Sequence, residues 1–140
     1  SEVNRLKDRA KELSLSNLLF FDEIDPQEMP GLLEQCHIGL LALDTRHKSH
    51  NIPGKFITYL LASLPVLARV NTGTDLANLI EEEGVGKVYV GDSVLELRKL
   101  AEEIIDNQKY YNLMVSRGHI LAKRMFSSKT AVQQIINTTK

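Results

Sequence analysis

Residues 52–90 read IPGKFITYLLASLPVLARVNTGTDLANLIEEEGVGKVYV. Two short apolar runs, PVLARV (65–70) and GKVYV (86–90), lack helical spacing and read as strands. Between them Leu76, Leu79 and Ile80 fall on one helical stripe. Thr72 or Thr74 can cap that helix, Gly73 permits a tight turn before it, and Gly84 stops it. Ahead of the first strand, Pro53–Leu64 predicts a helix with Ile57, Leu60, Leu61 and Leu64 on one stripe. Helix, strand, helix and strand follow one another with joints of a few residues. That alternation requires parallel strands with right-handed crossovers and helices on both faces, an α/β doubly wound parallel sheet.

The same rhythm extends outward. SEVNRLKDRAKEL opens the chain as a helix, with Val3, Leu6, Ala10 and Leu13 on one face. NLLFF (17–21) predicts a short strand. Asp25-Pro26-Gln27-Glu28 predicts a helix start with a capping box, the helix running to about Cys36. IGLLAL (38–43) predicts a strand buried on both faces. Ser93 and Glu96 form a second capping box, for a helix to about Asn107. Two further helical patterns, roughly 109–125 and 128–138, make residues 109–140 a C-terminal helical segment. The length of 140 residues suits one domain, 1–140.

A net charge of −1 gives no bulk electrostatic reason to expect nucleic acid. The single cysteine, Cys36, excludes an internal disulfide and fits a reducing, cytoplasmic compartment; its place at the end of an apolar helix predicts a small core residue. No apolar run reaches the roughly 18 residues of a membrane span, and no signal peptide heads the chain.

In doubly wound sheets ligands bind beyond the carboxyl ends of the strands. Three junctions therefore matter: Asp22–Asp25, Asp44–Lys55 and Asn71–Asp75. The second holds Arg46, His47, Lys48, His50 and Lys55 and runs into a helix start at Ile52-Pro53-Gly54-Lys55. A helix N-terminus offers free N–H groups and the positive end of the dipole, and Gly54 lets a ligand approach the backbone. A basic loop on such a start reads as an anion site, most simply for phosphate. The plainer alternative is that Pro53 and Gly54 only start the helix and the charges are solvated. Thr72, Gly73 and Thr74 enter a second helix N-terminus in the same way, with an ordinary loop as the alternative. His47 and His50 stand three apart, but no further ligand completes a zinc set, so no metal is expected. His37, His119 and Glu81-Glu82-Glu83 read as structural or solvated, and Lys123-Arg124 as solvated charge or a contact with acidic lipid.

The segment IPGKFITYLLASLPVLARVNTGTDLANLIEEEGVGKVYVGDSVLELRKLAEEI resembles the C-terminal domain of GT-B glycosyltransferases. The closest group is the retaining nucleotide-sugar transferases (group 1, family 4-like) of bacterial surface-polysaccharide assembly. Their P-S-K-x-x-x-Y-L-A-x-G-x-P-V-x-A segment is matched here by Pro53, Lys55, Tyr59, Leu60, Pro65, Val66 and Ala68. Their G-x-E-L-x-x-L-I-E-E-x-G-x-G is matched by Gly73, Leu76, Ile80, Glu81, Glu82, Gly84 and Gly86. LSLSNLLFFDEIDPQEMPGLLEQCHIGLLAL is similar to the family's upstream pattern.

The resemblance implies a Rossmann-like half of a GT-B fold, without its first strand and without the N-terminal acceptor domain. It implies that Phe21, Asp22, Glu23 and Ile24, with Thr58 and Tyr59, lie by the nucleobase and ribose. Arg46, His50, Asn51, Ile52, Pro53, Gly54 and Lys55, with Thr72, Gly73 and Thr74, would face the donor sugar and diphosphate. His50 and Lys55 are the only candidates for a catalytic part. The family's two acids, seven residues apart between them, fall at His50 and Thr58, and Gly54 replaces a Ser. The expected function is transfer, with retention, from a nucleotide diphosphate sugar to a saccharide or lipid-linked acceptor. No cofactor is expected, the 140 residues alone are expected to be inactive, and the expected place is the cytoplasm at the inner membrane face. Three rivals stand beside it. A non-catalytic donor-binding or assembly domain fits the absent acids. A phosphorelay receiver-like module fits Asp44 after a buried strand, but Arg69 stands inside a strand where no receiver lysine follows. A dinucleotide-binding dehydrogenase lacks a Gly-x-Gly-x-x-Gly turn.

Overall fold

A computed structural model describes residues 1–44, 46 and 51–138. Its elements in chain order are α1 (Glu2–Glu12), α2 (Met29–Leu33), β1 (Gly39–Ala42), α3 (Gly54–Leu61), β2 (Val66–Arg69), α4 (Asp75–Glu83), β3 (Gly86–Tyr89), α5 (Val94–Asp106) and α6 (Gln108–Thr138). The chain divides into two compact units, Ser1–Pro30 and Gly31–Lys140.

In the larger unit the three strands form a parallel sheet in the order β1-β2-β3, with Gly39 opposite Val66 and Val66 opposite Gly86. The middle strand is apolar on both sides because both faces are covered. Val66 and Ala68 join a core with Leu41, Phe56, Leu60, Leu76, Ile80 and Leu121, contributed by α3, α4 and α6. Leu67 points the other way, onto Ile104 of α5 and Met114 of α6. The α/β sheet with helices on both faces is thus the doubly wound, Rossmann-like arrangement that the alternation predicts. Gly86 is imposed by the pairing: a Cβ there would stand 1.8 Å from the Val66 carbonyl oxygen. Gly39 is bare for a similar reason, since the Tyr59 ring lies over it at 2.4 Å from where a Cβ would be.

Several expectations need correction. NLLFF (17–21) forms no strand, because no chain lies beside it to complete a ladder among the described residues; Leu18, Leu19 and Phe21 are exposed. β1 is buried on one face only: Leu41 is buried but Leu40 is 52% exposed. Gly39 and Leu43 donate to the Pro65 and Arg69 carbonyls at 2.9 and 3.0 Å, so Leu40 and Ala42 turn their backbone groups away from β2. The stripe of α3 is also shifted. Phe56 and Leu60 are its buried residues, while Leu61 is exposed and Leu64 lies beyond the helix end, buried. Ser63 ends that helix at φ 63°, a left-handed conformation, and its hydroxyl sits 2.7 Å from Nε2 of His119. The two C-terminal patterns are one helix, α6, because no Gly or Pro breaks the chain near 126–128 and the Ser128 hydroxyl donates to the Arg124 carbonyl. Cys36 is exposed rather than core, since α2 ends at Leu33 before reaching it.

The helix caps downstream stand where predicted, but the capping box at Ser93 is only half made, since the Ser93 N–H donates to Tyr89 Oη and not to Glu96. Thr74 accepts from the Ala77 N–H at 3.2 Å, Ser93 accepts from the Glu96 N–H at 3.3 Å, and Gly84 closes α4 at φ 62°. The pair Glu83–Arg124 ties α4 to α6 and compensates for an acid at a helix C-terminus. Tyr111 of α6 donates to the His37 carbonyl at 2.9 Å.

The smaller unit is built on α1. Ser1 caps it, Ala10 is its buried residue, and Leu15 returns an N–H to the Ala10 carbonyl at 3.0 Å. The Lys7 ammonium stands 5.9 Å above the Phe20 ring. Asp25 makes a turn rather than a helix start: its carboxylate accepts from Gln27 N–H at 2.8 Å, and α2 begins only at Met29.

Two outcomes follow from this packing. Gly86→Ala forces backbone apart at the β2–β3 pairing and is expected to destabilise by about 3 kcal/mol or more in urea denaturation; an unchanged midpoint would refute the close approach. Burial holds the Tyr111 and Tyr59 phenols above their usual value of 10.0, with the neighbouring Cys36 adding to the shift at Tyr59. Both are protonated in folded and unfolded chains below that value, so their contribution is intact there. Above it the unfolded chain ionises first and stability falls. Melting temperature against pH is expected to decline above about 10, less steeply in Tyr111→Phe.

Candidate functional site

The carboxyl ends of β1, β2 and β3 lead into three turns, and each is shaped differently by its sequence. After β1, Asp44 and Arg46 close on one another: the Arg46 backbone N–H and Nε both donate to the Asp44 carboxylate, at 2.9 and 3.0 Å. That carboxylate raises the Arg46 guanidinium's pKa, through hydrogen bonding first and charge second. Arg46 therefore faces an acid of its own loop. His50, with His47, Lys48 and Ser49, lies outside the described residues.

The start of α3 carries no side-chain cap. Pro53 occupies the cap position at φ −60° and ψ 140°, and its side chain supplies no hydrogen bond to the first turn. Proline has no side-chain acceptor, so the first-turn N–H groups are left without a side-chain cap. Among the described residues nothing lies within 4 Å of where a Gly54 Cβ would stand, so their packing does not demand this glycine. Gly54 and Lys55 are exposed, Asn51 is exposed, and Ile52 and Pro53 are half-buried. Lys55 makes no salt bridge among the described residues. One turn on, the Thr58 hydroxyl donates back to the Gly54 carbonyl at 3.2 Å. Tyr59 turns inward over β1, its hydroxyl 3.4 Å from the Leu40 carbonyl oxygen.

After β2, Gly73 takes φ 72°, a conformation open to glycine at little strain. Thr74 both caps α4 and donates to the Asn71 carbonyl at 3.2 Å. Its hydroxyl is thereby occupied, and Thr72 and Gly73 are the exposed members of the turn.

After β3 comes a turn that the sequence reading passed over. Tyr89 Oη accepts from the Ser93 N–H at 2.5 Å, and Gly91 stands at φ 146°. Arg69, the last residue of β2, donates from Nε to the Gly91 carbonyl at 2.9 Å and pairs through its other nitrogen with Asp92. The signal was present as a lone cation in an otherwise apolar strand, but alternation alone does not say which loop such a side chain reaches.

Phe21, Asp22, Glu23 and Ile24 belong to the smaller unit. The first three are exposed, Ile24 is half-buried, and none is in a strand. No group of three or more His, Cys, Asp or Glu side chains suited to a metal ion occurs among the described residues. No helix among them is long and apolar enough to cross a membrane.

Comparison with curated proteins finds a relative by sequence. The chain is 25% identical over 104 residues to a "Probable glycosyltransferase WbjE" of Pseudomonas aeruginosa. The match covers 74% of this chain and 26% of that protein, so the chain spans about a quarter of its relative's length. No family model and no solved structure matches. The similarity supports a relationship to a glycosyltransferase.

Thr74 holds the second turn through two bonds, so Thr74→Ala is expected to lower stability by about 1 kcal/mol. Thr74→Ser should keep most of it, and equal losses in the two variants by chemical denaturation would remove the capping role.

Proposed function

We propose that this segment is the donor-binding part of a glycosyltransferase that moves a sugar from a nucleotide diphosphate sugar to a hydroxyl acceptor, with retention. The observation that carries the reading is the α3 start: Pro53 offers no cap, Gly54 leaves open space, and Lys55 is exposed, at the carboxyl end of a doubly wound sheet. The similarity to a probable glycosyltransferase supports reading that opening as the place of a sugar donor. First-turn N–H groups and the Lys55 ammonium would stabilise charge on the departing diphosphate, in a place preorganised before reaction. As the resemblance to GT-B glycosyltransferases implies, the diphosphate itself would accept the acceptor's proton. Thr72 and Gly73 would bound the sugar side. A separate acceptor-binding domain of the same protein would supply the saccharide or lipid-linked acceptor, at the inner face of the cytoplasmic membrane, without a metal.

One observation favours a second reading, donor binding without transfer. Thr58 stands where the resembled family places an acid, and its hydroxyl is already bonded to the Gly54 carbonyl. Binding of a nucleotide sugar with no turnover in the full-length protein would select it.

Lys55→Ala in the full-length protein is expected to weaken nucleotide diphosphate binding by about tenfold or more, the scale of one charge-assisted contact. Calorimetric titration with nucleotide diphosphates measures it. Unchanged affinity and turnover would end the anion-site role.

A further inference from the structure

Arg69 is the one residue of β2 that is not apolar, and its side chain is only 28% exposed. Its guanidinium emerges at the carboxyl end of the middle strand, the edge where open α/β sheets bind ligands. Two groups meet it there. The Gly91 carbonyl accepts from Nε at 2.9 Å and is fixed, because Tyr89 and the cap at Ser93 hold the turn on either side. The Asp92 carboxylate pairs with the second nitrogen, yet its side chain is 92% exposed. Asp92 is thus attached to the edge through the guanidinium alone among the described residues, with water around the rest of it.

An exposed carboxylate on a guanidinium is a weak partner in water. A phosphate brings more charge and a geometry that matches the planar fork through two parallel hydrogen bonds. Replacing Asp92 by phosphate would leave the Gly91 bond intact, so Arg69 would stay aimed while its anion is exchanged.

We propose that Arg69 is a second anion-binding residue at the carboxyl edge of the sheet and that Asp92 occupies it as an internal competitor, displaced when a phosphate or diphosphate group enters. The donor as the source of that phosphate rests on the reading given under Proposed function. The exchange itself rests on the Arg69 geometry.

The two partners of such a pair have opposite effects. In the full-length protein, titrated calorimetrically with inorganic pyrophosphate, Asp92→Asn is expected to tighten binding about threefold to tenfold, by removing the competitor. Arg69→Gln is expected to weaken it about tenfold, and Arg69→Lys to recover part of the loss. If the pair only clamps the turn, both substitutions loosen the same turn and shift affinity the same way. Equal signs, no shift in either variant, or no pyrophosphate binding in any of them overturns the proposal. Melting curves of the variants separate loss of binding from loss of fold. If pyrophosphate follows the Arg69–Asp92 pair but ignores Lys55→Ala, the exchange stands and the α3 reading falls. If nucleotide sugars bind through Lys55 but pyrophosphate does not respond to Arg69, the reverse holds.

Discussion

Everything in the larger unit hangs on how closely β3 can approach β2. The Val66 carbonyl leaves no room for a side chain at Gly86, and that contact sets the register along which Leu67 meets Lys87 and Arg69 meets Tyr89. From that register the two faces of β2 are assigned. Val66 and Ala68 go to α3, α4 and α6, and Leu67 goes to α5 and the start of α6. The same register brings Arg69 level with the end of β3, so its guanidinium reaches the turn at Gly91 and Asp92. A steric limit at one end of a strand thereby positions a charge at the other.

The three turns at the carboxyl edge show how differently a helix start can be completed. α4 and α5 begin on Thr74 and Ser93, whose hydroxyls satisfy backbone N–H groups and stiffen their turns. α3 begins on Pro53, which cannot do so. The starts of α4 and α5 carry side-chain caps, whereas at the start of α3 the Phe56 N–H is met by the Pro53 carbonyl at 3.0 Å and no side-chain cap forms. That contrast supports the proposal made for the α3 start. The basic character of the loop before it is partly answered within the loop, because Arg46 is turned onto Asp44.

Much of the fold was legible because its determinants are local. The caps at Thr74, Ser93 and Gly84 and the apolar runs of the three strands can each be read within a few residues. What was misread depends on partners distant in the sequence. NLLFF has the composition of a strand, but a strand exists only beside another. IGLLAL has the composition of a strand covered on both sides, but Leu40 lies bare. α6 was divided because its apolar pattern weakens past Met125, although nothing there stops a helix. The same distinction holds at the site. Pro53, Gly54 and Lys55 stand where their sequence suggests, while the Arg69 contact joins residues 22 and 23 positions apart and could not be seen from either end.

The bare side of β1 bears on how this polypeptide behaves in a tube. Gly-Leu-Leu-Ala is uncharged and free of proline, and the outward N–H and C=O groups of Leu40 and Ala42 have no second strand among the described residues. Natural sheets blunt such margins with lysine, proline or a bulge, and this one carries none of them. Among the described residues Tyr59 leans over it, with its hydroxyl near the Leu40 carbonyl. Among the described residues that strand therefore presents an adhesive margin.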